Sequence, residues 1–234
     1  MNALLWIHIA GGMIALGAGA GAAFARKGGR LHGSAGRGFA AAMLVLGVTA
    51  AILEPFTSPP GSPVGGIIVC YFVATAWMTA RRRDGIPGRF ERVACGFALL
   101  GAGAAAWGGF TGATTPVGSG PVFAFAALCL LAGLGDLAFI LRGRLTARQR
   151  LSRHVWRICL AFFIATASFF LGQQDALPRA VRGSLILFAL AFAPFVLMVF
   201  WLVRLHLPKA IGSLALRIPK SPAGIALPSL GTEV

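Results

Sequence analysis

The chain has 234 residues, 57% of them hydrophobic and only 12% charged, with a mean hydropathy of +0.81, whereas a soluble domain carries about a quarter charged residues. This excludes a soluble globular domain and points to an integral membrane protein. The net charge of +15 does not point to nucleic acid, because the basic residues crowd into alternate connections between apolar runs, as the positive-inside rule requires.

The first apolar run, Ala3 to Ala25, lacks a basic leader and is followed by Arg26, Lys27 and Arg30, which predicts a retained helix with its N-terminus outside. His8, Gly11, Gly12, Ala15, Gly19 and Ala22 fall on one face of it, a small-residue stripe suited to close helix approach. The glycine-rich stretch Arg26–Arg37 reads as a cytoplasmic loop, and a second helix is expected from about Gly38 to Leu53. Beyond an outer loop rich in proline, a third helix spans about Val64 to Ala80. The basic segment RRRDGIPGRFER leads to a fourth from about Val93 to Phe110, dominated by Gly and Ala. The fifth runs from about Val122 to Leu141 and carries Asp136 in its last two turns.

The sixth segment, Ser152 to Gln174, sets the pattern of the whole. It opens with Arg153 and His154, buries Arg157 in an apolar run, and places His154, Arg157, Ala161, Ala165, Ser168 and Gly172 on one polar-to-small face. The seventh helix, about Ser184 to Leu205, contains Pro194, and the tail from 206 to 234 lacks any sustained period and reads as disordered. The expectation is therefore an all-α, polytopic transmembrane bundle of seven helices (residues 1–205). Its N-terminus is outside and its C-terminus cytoplasmic, because 19 of the 21 Lys and Arg fall on the inner side. The expected location is the bacterial inner membrane, with the basic loops against anionic lipid headgroups. No inverted repeat of the kind that marks many transporters is visible.

Ionisable groups at membrane depth cost about 2.5–3.5 kcal/mol on insertion scales, so each calls for a reason. Near the inner face are Lys27, His32, Arg37, Asp136, His154 and Arg157; near the outer face are His8, Glu54, Gln173, Gln174 and Asp175. Asp136 and Arg157 lie on consecutive helices joined by a short connection, which predicts an ion pair: either a structural bond that fixes helix register or part of a binding site or proton relay. His32 and His154 share the inner layer. They are candidates for the two axial ligands of a b-type haem, or for ordinary hydrogen bonds at helix ends. His8 is too far from His154 to share a metal with it. The cysteines Cys70, Cys95, Cys129 and Cys159 read as packing residues, with no cluster at zinc-ligand spacing. The sequence contains no GxSxG, P-loop or HExxH motif and no nucleophile–base pair.

Two stretches carry a resemblance. His8, Ile9, Gly12, Lys27, Gly28, His32, Gly36, Arg37 and Met43, then Asp136, His154, Arg157, Ala165 and Thr166, match the pattern of a bacterial membrane-protein family known as domain of unknown function 2306. The chain resembles that family over about residues 7–45 and 130–205. It departs where Cys159 stands in place of a frequent methionine, and at the pair Gln173–Gln174. The resemblance implies a fold and a residue set, and no established activity. The functional expectation is a cofactor- or small-ligand-binding membrane protein, in a haem- or quinone-linked redox or assembly role. Its inner polar site would be His32, Arg37, Asp136, His154 and Arg157, and His8 would mark an outer one. A proton-linked transporter working through Asp136, and a scaffold joining a membrane-protein partner through its small-residue faces, are the alternatives.

Overall fold

A computed structural model describes residues 2–57, 62–112 and 119–207. Seven long helices make up the described chain: α1 (Asn2–Phe24), α2 (Arg30–Leu53), α3 (Val64–Arg81), α4 (Arg89–Phe110), α5 (Gly120–Arg142), α6 (Ala147–Phe170) and α7 (Leu185–His206). Short 3-10 turns at Glu54–Phe56, Gln174–Ala176 and Arg179–Val181 complete the described elements, and no strand occurs among these residues. Six of the helices, all but α6, are long and apolar enough to cross a membrane. The chain is an all-helical, membrane-spanning protein. Of the tail from 206 on, only the end of α7 and Leu207 fall within the described residues.

α6 differs for a reason visible in its sequence. Its 24 residues make a rod of about 36 Å, but Arg148, Arg150, Arg153 and Arg157 all fall in its first half. The two deeper ones, Arg153 and Arg157, are buried and both pair with Asp136.

The helices begin earlier at the basic end than apolar runs alone indicate. The stretch Arg26–Arg37 is not one long loop: the chain turns at Gly28, whose φ is +79°, and α2 starts at Arg30. Lys27 donates to the carbonyls of Ala22, Ala23 and Ala25 at the end of α1, so the turn needs few residues. His32 and Arg37 therefore ride on the first two turns of α2. Likewise the backbone N–H of Gly88 donates to Glu91 Oε2 at 2.7 Å and starts α4 at Arg89. Thr146 and Gln149 exchange hydrogen bonds in a capping box that starts α6 at Ala147. Charged first turns thus lengthen these helices at their basic ends.

α1 packs on α2, α2 on α3, α3 on α6 and α6 on α7, while α1 also touches α6. This closes α1, α2, α3 and α6 into a four-helix ring whose core holds Ala15, Phe39, Met43, Phe72, Val73 and Ala161. α4 and α5 pair mainly with each other as a hairpin beside the ring. The small-residue face of α1 lies on α2: a Cβ at Gly11 would stand 3.5 Å from Ala42 O, and one at Gly19 would meet the rings of Phe162 and Phe39. The tightest crossing is α2 on α3, where a Cβ at Gly47 would stand 2.8 Å from Gly66 O and one at Gly66 would collide with Gly47 O and Ala51 N. The opposing atoms are backbone, so they cannot rotate away.

Gly66→Leu is therefore expected to push α2 and α3 apart at a cost of about 1–3 kcal/mol or more, seen as a lowered unfolding temperature of the detergent-solubilised protein. An unchanged transition would mean that the helices do not cross at this point.

Candidate functional site

The inner polar residues do not form one site. They separate into a closed ionic cluster between α3, α5 and α6, and a histidine pair within the four-helix ring.

At the centre of the first is Asp136, completely buried, on a helix that is otherwise apolar until Arg142 at its end. The expected pair with Arg157 is present: Arg157 Nη2 reaches Asp136 Oδ1 at 2.5 Å and also donates to Ala132 O at 3.1 Å. A second arginine converges on the same oxygen. Arg153 Nη1 donates to Oδ1 at 3.0 Å, and its Nη2 stands 2.8 Å away without hydrogen-bond alignment. The other oxygen, Oδ2, accepts from the Tyr71 hydroxyl at 2.7 Å. Arg153 Nε also donates to Thr79 Oγ1 at 3.3 Å. One carboxylate thus faces two guanidinium groups, leaving one positive charge in excess. Aromatic faces take part of it: the Arg157 guanidinium lies 5.1 Å from the Trp156 ring and 5.4 Å from Tyr71, and that of Arg153 lies 5.2 Å from Phe139. Arg157 Nε and Nη1 have no hydrogen-bond partner among the described residues, so the π faces are what they meet.

The cluster also explains how the hairpin is attached. The backbone contacts of α5 go chiefly to α4, and those of α6 to α3 and α7. The two helices are therefore bridged by arginine side chains rather than packed as close neighbours. Their basic-end loops add a second tie: Leu145 N–H donates to Gly85 O at 2.9 Å, Arg144 Nε to Asp84 O at 3.1 Å and Arg150 Nη1 to Arg82 O at 3.2 Å. Buried Glu91 pairs with Arg82 at 3.2 Å.

The second group stands on α2 and α6, diagonal members of the ring. His32 Nδ1 is 3.0 Å from Ala22 O on α1, and His154 Nδ1 is 3.1 Å from Ala76 O on α3. A carbonyl only accepts, so each Nδ1 carries a proton, and Nε2 is the nitrogen left to coordinate when the ring is neutral. Ligand histidines are commonly held in this way, with the far nitrogen anchored to a backbone oxygen and the near one free to coordinate. One turn along from His32, a Cβ added at Gly36 would meet nothing within 4 Å. Two imidazoles, each with one nitrogen anchored to a backbone oxygen, are the donor set of a bis-histidine site. No cluster of three or more His, Cys, Asp or Glu suited to a metal occurs among the described residues.

The remaining expected residues fall elsewhere. Arg37 is exposed and joins neither group. His8 meets neither Glu54 nor a glutamine by hydrogen bond: its Nδ1 lies 3.0 Å from Thr49 Oγ1, whose own proton points to Val45 O or Leu46 O at 2.7 and 3.1 Å. Gln174 accepts from Gly183 N–H, and Asp175 pairs with Arg182 at 3.3 Å, so these residues fix the α6–α7 connection. Arg153, Tyr71 and Thr79 were not foreseen as members of the ionic cluster. Tyr71 had a signal: it is the only tyrosine in a chain with 18 phenylalanines, and a buried phenol usually has a partner.

No family model matches the chain, and no curated protein or solved structure matches it either.

Removing the central carboxylate strands two buried cations, so Asp136→Ala is expected to cost about 3–5 kcal/mol, and Tyr71→Phe about 1 kcal/mol. Thermal unfolding in detergent ranks the two. An Asp136→Ala protein that melts with the wild type would show that the arginines do not depend on it.

Proposed function

We propose that the chain is a cofactor-binding protein of the bacterial inner membrane, holding a b-type haem near its cytoplasmic face between His32 on α2 and His154 on α6. The observation that carries this reading is the pair of imidazoles on diagonal helices, each with Nδ1–H tied to a backbone carbonyl and Nε2 left as the nitrogen that could coordinate. In this reading the polypeptide orients both rings through the carbonyls of Ala22 and Ala76. When bound, the haem supplies one-electron chemistry, which suits a redox or assembly role. Membership of the family known as domain of unknown function 2306 is part of the same proposal, since His32 and His154 are among the residues that carry the resemblance.

The accompanying topology is seven spanning helices, α6 included, with the N-terminus outside and the C-terminus in the cytoplasm. It is supported by the four basic segments at one end of the bundle, against Arg179 and Arg182 at the other. The basic residues of the cytoplasmic end would rest on anionic headgroups. Proton-linked transport through Asp136 has less in its favour, because both carboxylate oxygens are engaged and the group has no exposed surface.

Two measurements test the proposal. The protein purified in detergent and titrated with haem should develop a Soret band that His154→Ala and His32→Ala each abolish while the protein stays folded. A colourless protein that ignores added haem overturns the reading. For topology, green fluorescent protein fused to the C-terminus should fluoresce in cells; a dark fusion made in normal amounts would reverse the orientation.

A further inference from the structure

Between the ring and the α4–α5 hairpin lies an apolar groove of about 480 Å³, within the size range of ligand sites. Its walls come from α2 (Val48, Ile52), α3 (Cys70, Ala74) and α4 (Val93, Phe97), with the ring of Tyr71 at its back. It exists because α3 and α4 barely touch, being joined across their basic ends by the ion pair of Arg82 with Glu91. Helix periodicity continues both walls into arginine. On α3, Ile67, Ala74 and Arg81 recur every seven residues along one face; on α4, Arg89 precedes Val93 by one turn on the same flank, and Phe97 follows one turn later. Arg81 and Arg89 are exposed, and neither has an ion-pair partner among the described residues. The helix faces that form the apolar trough thus continue, at its basic end, into Arg81 on α3 and Arg89 on α4.

We infer that this groove binds one anionic phospholipid, with an acyl chain along α3 and α4 and the phosphate held by Arg81 and Arg89. The charge at the mouth selects the occupant: a trough lined only by carbon takes any chain, whereas two unpaired arginines favour a negative headgroup. The lipid fills the gap that the sparse α3–α4 contact leaves and ties the hairpin to the ring from the outside, as the Asp136 cluster does from within.

Native mass spectrometry of the delipidated full chain in detergent tests this, with phosphatidylglycerol and phosphatidylcholine of identical chains as probes. One phosphatidylglycerol adduct should form with roughly 30-fold preference, the equivalent of about 1 kcal/mol for each of two arginines. The double variant Arg81→Gln/Arg89→Gln should lose that preference. Arg142→Gln/Arg148→Gln, at exposed arginines of the same end away from the groove, should retain it. Ala74→Phe, which fills the groove, should abolish the single adduct with either lipid. Equal binding of the two lipids by the wild type overturns the inference. So does a preference that survives Arg81→Gln/Arg89→Gln, an equal loss in the Arg142→Gln/Arg148→Gln control, or displacement of the lipid by a neutral isoprenoid quinone.

Discussion

The carboxylate of Asp136 is the constraint on which the arrangement of the helices depends. α5 has one ionisable residue in its apolar length, and in a low-dielectric interior that residue must find a cation or stay protonated. It finds two, both from α6, together with the hydroxyl of Tyr71 from α3. These bonds fix the depth of α5 against α6 and the rotation of both, because a slip of one helical turn would move each arginine about 5.4 Å from its partner. The remaining positive charge is spread onto Trp156, Tyr71 and Phe139. A buried ionic group of this kind contributes specificity of packing more surely than stability.

That division of labour separates the two polar groups. The Asp136 cluster is closed and internally satisfied around its carboxylate, as expected of an anchor. The histidines instead have one nitrogen fixed and one free, as expected of ligands. They sit within the ring formed by α1, α2, α3 and α6, while the hairpin of α4 and α5 is fastened to that ring by the anchor and by loop contacts. The ring carries the proposed chemistry, and the hairpin completes the shell around it.

Much of this was legible in the sequence, and the parts that were not have physical reasons. Spans of the right length follow from apolar runs, and the Asp136–Arg157 pair follows from two unlike charges at one depth on consecutive helices. Arg153 was hidden because it sits near the expected interface, where an arginine normally reaches water. It turns inward because α6 begins at Ala147, and so carries Arg153 a full turn deeper than an apolar-run boundary suggests. Tyr71 was hidden among aromatic neighbours, since hydrophobic patterning does not register a phenol that bonds a carboxylate sixty-five positions away. The separation of His32 and His154 from Asp136 depends on which helices become diagonal, and periodicity within a single helix carries no information about that.

The most direct test of this account replaces the anchor and leaves the histidines untouched. In Asp136→Leu/Arg153→Met/Arg157→Met the ionic cluster becomes apolar, an exchange that interiors commonly tolerate. The account predicts a folded protein that still binds haem, with the wild-type Soret absorption. A variant that folds as the wild type does but no longer binds haem would contradict it, and would make the charged cluster part of the cofactor site.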